Sequence, residues 1–88
     1  MTDWVADIRV LLKPSVNDPQ GLSIRNALRT LGFHVDEVRA GKLIQVRLNA
    51  EDRAAAEAAV DEMCQKLLAN PVIEVYEFTL SAAPAPVP

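Results

Sequence analysis

Trp4, Ala6, Ile8, Val10 and Leu12 fill every even position of the first segment, while Asp7, Arg9 and Lys13 stand on odd ones. Side chains of an extended strand alternate between faces, so this period of two predicts a strand with one buried side. The odd side is not wholly polar, because Val5 and Leu11 lie on it. Pro14 stops the strand, having no N–H to give a ladder. After the loop 13–17, Asp18 fits a helix N-cap and Pro19 the first helical position. Ile24, Ala27, Leu28 and Leu31 then mark the apolar stripe of a helix that Gly32 closes.

A second strand is expected over Phe33 to Arg39, with Phe33 and Val35 on one face. Its alternation slips at Asp36-Glu37, where either a bulge or an end of pairing would fit. Ala40-Gly41-Lys42 predicts a turn, and Ile44, Val46, Leu48 and Ala50 a third strand, so strands two and three should form a hairpin. Asn49 is the expected cap of a second helix, whose stripe is Ala56, Val60, Met63, Cys64 and Leu67. Asn70-Pro71 ends it, since a residue before proline is pushed out of the helical region. Val72 to Leu80 predicts a fourth strand, apolar on both sides: Ile73 and Val75 on one, Tyr76, Phe78 and Leu80 on the other. Pattern alone leaves open which side meets the helices.

Residues 1–80 are therefore expected to form a single domain, and the Pro/Ala-rich residues 81–88 a flexible tail with nothing to pack. The order β-α-β-β-α-β predicts an α+β fold. Its usual form is a ferredoxin-like two-layer sandwich, an antiparallel sheet with both helices on one face.

A chain of 88 residues buries only about 60–65% of its unfolded surface, so its stability margin is thin. The net charge of −3 and the pI near 5.0 argue against a nucleic-acid binder, which needs a basic stripe to neutralise phosphates. No apolar run approaches the ~20 residues of a membrane span, and the start lacks a basic region followed by an apolar core. Cys64 is the single cysteine, which excludes an internal disulfide and suits a reducing compartment. A cytoplasmic location is expected.

Catalytic chemistry is hard to assemble from these residues. His34 is the sole histidine and has no motif partner; Cys64 lies on the apolar stripe of helix two, where it reads as a small hydrophobe. One His and one Cys do not make a usual zinc site. There is no phosphate-binding loop, and the three glycines read as punctuation. Arg25 and Arg29, on the outer side of helix one beside Leu22, suit an anion, an acidic partner or plain solvent. The topology is shared with RNA-recognition modules, but the outward positions of strands one and three carry no aromatic side chain to stack on a base. No catalytic, cofactor-binding or metal residue is therefore assigned.

Two helices cover one face of a sheet, and the other should be polar. Here Val5, Leu11, Leu43, Ile73 and Val75 make it partly apolar. Such a patch on a small domain marks a surface for association, and these five are the candidate self-association face, through the sheet face or an edge.

Specific stretches resemble a known family. Lys13-Pro14-Ser15-Val16-Asn17-Asp18-Pro19-Gln20-Gly21 is similar to the strand-to-helix loop of PurS, the small S subunit of phosphoribosylformylglycinamidine synthase. Ala27-Leu28 through Leu31-Gly32-Phe33 is similar to the end of its first helix. Val38-Arg39-Ala40-Gly41-Lys42 resembles its V-R-x-G-K turn. Cys64-Gln65-Lys66-Leu67-Leu68-Ala69-Asn70-Pro71-Val72-Ile73-Glu74 resembles its C-x-K-L-L-A-N-P-V-I-E segment. The stretches run in order from residue 4 to 80. Ser15, where glycine is more usual, and the Pro/Ala tail depart from the pattern.

The resemblance implies a non-catalytic subunit of a glutamine-hydrolysing C–N ligase of purine biosynthesis. Its partners would be a glutaminase subunit and a synthetase subunit, with ATP and magnesium on the latter and none on this chain. The S subunit would self-associate as dimer or tetramer, bridge the two larger chains and support ammonia transfer, without nucleic acid or membrane. Asp18, Gln20, Gly21, Arg39, Gly41 and Lys42 match family motifs and are the candidate partner contacts. Local roles compete with that: Asp18 and Pro19 as helix caps, Gly41 as a turn residue. The alternative function is an ACT-like regulatory domain that binds a small molecule between protomers. The Pro-rich first loop argues against it, because such sites favour a glycine-rich turn there.

Overall fold

The computed structural model describes residues 2–83. Three strands form one antiparallel sheet in the order β2-β1-β3: β1 spans Thr2–Leu12, β2 Gly41–Ala50 and β3 Glu74–Ala82. Ile8 stands opposite both Ile44 and Phe78, which puts the even residues of all three strands on one face. Helix α2 (Arg53–Met63) packs there and runs into a π-helical turn, Cys64–Leu68. Ala6, Ile8 and Val10 of β1, Leu80 of β3, and Ala56, Val60 and Cys64 of the helical segment make the core. Fully burying a side chain such as Ile8 or Val60 contributes about 1.5–3 kcal/mol.

The α+β class and the antiparallel sheet are as expected and consistent with a ferredoxin-like fold, while the second strand and the placement of α1 differ. Residues 33–39, expected as a second strand in a hairpin, carry no strand, and β2 pairs with β1 instead. The slip in alternation at Asp36-Glu37 therefore marks neither a bulge nor the end of a ladder, because the segment does not pair at all. Both edges of β1 are already taken, and the segment is tied elsewhere. Arg29 Nε donates to the Val35 carbonyl at 3.0 Å, and Phe33 N–H donates to the Leu28 carbonyl behind the helix.

Helix α1 (Pro19–Thr30) begins as expected, with Asp18 accepting from Gly21 N–H and Pro19 in the first turn. It does not lie on the sheet. Gly21 is its only buried residue, and its stripe faces outward, with Ile24 39% and Leu31 73% exposed. The radius of gyration is 16.8 Å, where a compact chain of this length has about 12 Å.

Element boundaries also move, with β2 starting at Gly41 inside the expected turn and β3 at Glu74 rather than Val72. The cap of α2 is Asp52, which accepts from Ala55 N–H, while Asn49 donates its amide to Asp3 across the sheet. β3 runs on through Ser81 and Ala82, residues expected in the tail, and Ala83 N–H donates to the Asp3 carbonyl. The rest of the expected tail, 84–88, lies outside the described residues.

Candidate functional site

The first strand-to-helix loop and the segment entering β2 are fastened together by two side chains. Asp18 is buried, with Oδ1 accepting from Gly21 N–H at 3.0 Å and Oδ2 from Ala40 N–H at 2.8 Å. These bonds to Gly21 and Ala40, with the nearby Arg39 charge, hold its carboxyl below the ordinary aspartate range against the opposing effect of burial. Arg39 spends its guanidinium on the carbonyls of Lys13 (2.8 Å), Leu12 (3.1 Å) and Val16 (3.4 Å). Gly21 is there for close approach: a Cβ would meet the Val38 carbonyl oxygen at 2.2 Å. Gly41 opens β2 in the same tight contact, 2.3 Å from the Val10 carbonyl oxygen for an added Cβ.

Of the six candidate partner contacts, four thus have a role in the junction's own backbone: Asp18 and Gly21, which are buried, Arg39, which is half-buried, and Gly41, which is exposed. Gln20 and Lys42 are exposed beside it and free to meet another chain. The capping role of Asp18 is local in sequence, whereas its second bond spans 22 residues, which no local pattern reveals. Arg39 was singled out only through its motif. Against this junction lies an open groove of about 330 Å³, walled by Pro14, Val16, Leu22 and Val38, with Arg25 and Glu37 along it.

The open face of the sheet divides in two. One end is polar and internally bonded: Gln45 donates to Asp7 at 2.9 Å, and Asn49 and Arg47 reach Asp3. At the other end Leu11 stands opposite Val75, Leu43 lies across from Arg9, and Ile73 precedes β3. These four are 39–66% exposed. Val5 is half-buried between Arg47 and Ser81, six residues or about 20 Å along the strand, so it does not join them.

Catalytic groupings do not assemble among the described residues. No cluster of three or more His, Cys, Asp or Glu side chains has the geometry to hold a metal ion there. The Cys64 thiol is buried, and burial pushes it above its ordinary value, with Asp61 adding to the effect, so it is kept protonated and inert. Tyr76 donates its hydroxyl to Asp61, and that bond raises the phenol above its usual range. His34 is exposed on the loop after α1. No described helix is long and apolar enough to cross a membrane.

The family model described as "PurS: Phosphoribosylformylglycinamidine (FGAM) synthase" matches residues 5–82. The PurS subunit of Synechocystis sp. is 47% identical over 76 residues, covering 85% of this chain and 76% of that one. The structure of Thermus thermophilus PurS superimposes with a TM-score of 0.84 at 38% identity, over 93% of this chain and 99% of that one. A chain in the structure of PurLQS from Thermotoga maritima gives a TM-score of 0.86 at 35% identity, over 92% of this chain and all of that one. None of these is an ACT-like regulatory domain, and that alternative has no support. The chain belongs to the PurS family, the S subunits of phosphoribosylformylglycinamidine synthase.

Proposed function

We propose that the chain acts as a non-catalytic bridging subunit in the phosphoribosylformylglycinamidine synthase assembly. It joins a glutaminase subunit to a synthetase subunit in the cytoplasm and supports ammonia transfer between them. ATP and magnesium would act on the synthetase, where formylglycinamide ribonucleotide and the released ammonia are coupled to give the amidine. The observation that carries this is the match over nearly the whole chain to a chain of PurLQS from Thermotoga maritima, joined to a surface richer in contact groups than in chemistry.

Self-association belongs to the same reading. The outward stripe of α1 and the apolar end of the open sheet face, Leu11, Leu43, Ile73 and Val75, favour a second copy of the chain. Val5, in its polar surroundings, has the weakest claim to that face. Gln20 and Lys42 are the candidates for direct contact with the larger subunits, with Asp18, Gly21, Arg39 and Gly41 shaping the loops that present them.

Reconstitution tests the proposal. Synthetase and glutaminase subunits would be assayed with glutamine, ATP and formylglycinamide ribonucleotide, with and without this chain. Glutamine-dependent amidine formation should require it, and the isolated chain should catalyse nothing. Full activity and stable association of the two larger subunits without it would overturn the reading.

A further inference from the structure

Arg25 and Arg29 lie four residues apart on α1 and meet different fates. Arg29 donates its Nε–H to the Val35 carbonyl. The Arg25 Nε is closed to solvent and has no acceptor among the described residues. Arg25 as a whole is half-buried, but this one N–H, stripped of water and left unbonded, is costly, so the position gains when an acceptor arrives.

The groove it lines narrows what that acceptor is. Asp18 also lines it, but its oxygens are turned to the Gly21 and Ala40 N–H groups and the Arg25 Nε stays unbonded. Glu37 lies along the groove, and the ion pairs among the described residues do not include one between it and Arg25. Arg39 contributes positive charge, while its bonds go to three loop carbonyls. Asp18 and Glu37 together oppose a dianion such as phosphate, whereas a single carboxylate facing Arg25 meets a guanidinium of matching shape. Pro14, Val16, Leu22 and Val38 make the walls apolar, which strengthens a charge pair held between them. At about 330 Å³ and open along one side, the groove admits one side chain and does not enclose a metabolite.

We propose that Arg25 receives the carboxylate of an acidic side chain projecting from a partner subunit into the groove between the 14–17 loop and α1. The proposal rests on the reading of this chain as a subunit. It gives the junction built by Asp18 and Arg39 a use, because that junction fixes both walls before the partner arrives.

The test measures assembly of the full chain with its synthetase and glutaminase partners, by sedimentation or calorimetry across a salt series. Arg25→Ala should weaken assembly about 10- to 100-fold, the loss expected for one charge-assisted contact. Its affinity should also fall less steeply with salt than that of the wild type. Arg25→Lys should recover only part of the loss, since an ammonium lacks the planar fork. The melting midpoint of the isolated Arg25→Ala chain should not drop, because no internal bond is removed. Equal assembly by Arg25→Ala and wild type overturns the proposal. So does a saturable shift of the Arg25 Nε–H resonance when free glutamate or phosphate is added to the isolated chain, which assigns the groove to a small anion. A wild-type chain that fails to assemble at all sinks the subunit reading along with this one; the two preceding outcomes sink this one alone.

Discussion

Asp18 uses one carboxylate to close two gaps in the backbone, the free N–H at the start of α1 and that of Ala40 before β2. Replacing it with asparagine leaves one oxygen and turns an amide toward an N–H. Asp18→Asn should therefore lower the melting midpoint at pH 7 by about 5 °C, on the scale of a lost cap in a small domain. The pH dependence follows from its depressed folded-state value. Stability from the carboxylate is fully present above the unfolded value near 4 and is lost as pH falls through the lower folded one. The gap between wild type and Asp18→Asn should then close below about pH 4, and thermal melts from pH 7 to 2.5 check it; a gap unchanged at pH 2.5 would assign the effect to something other than ionisation. The capping half of this role was legible in the sequence, because a cap and its helix are neighbours. The bond to Ala40 was not, and neither were the Arg39 bonds to carbonyls more than 20 residues away. A motif marks such residues as distinctive without saying whether they face a partner or the chain's own backbone.

Among the elements, the second helical segment departs most instructively from its pattern. The stripe Ala56, Val60, Cys64 is buried as the 3.6-residue period requires, yet Leu67 is 83% exposed. The reason is the π turn, in which Ala69 N–H bonds to the Cys64 carbonyl five residues back. The wider turn carries Leu67 off the buried line and brings Leu68 and Ala69 toward it. Periodicity cannot anticipate an added residue per turn, so the sequence placed the stripe correctly only as far as Cys64. Val60→Ala should cost the isolated chain about 1–3 kcal/mol in denaturant melts, while Leu67→Ser should stay within about 0.5 kcal/mol at low chain concentration. Comparable losses from both would mean that Leu67 packs inside the fold. The missing strand over 33–39 has a similar explanation. Its apolar residues suit a strand, but Asp36-Glu37 breaks the alternation, and β1 has no free edge for it to join.

At the scale of the molecule, α1 is the unresolved debt of a single copy. It carries Ile24 and Leu31 outward, and the chain is far more extended than its length requires. Beside α2, Val46, Ala59, Met63 and Leu68 line an apolar groove of about 450 Å³ on the helical side of the sheet. An exposed apolar stripe and an uncovered apolar groove on one chain are what a symmetric pair of copies can satisfy reciprocally. If so, folding and association are linked, and stability must rise with concentration because only the folded chain binds its copy. The melting midpoint should then climb by several degrees between about 5 and 500 µM. Leu31→Glu, at a position 73% exposed in the single copy, should abolish that climb and give monomers in sedimentation while leaving the far-ultraviolet spectrum intact. A midpoint independent of concentration, with monomers for the wild type, would instead mean that α1 waits for one of the larger subunits. The same variant would then lose their binding, without any change in its own association state.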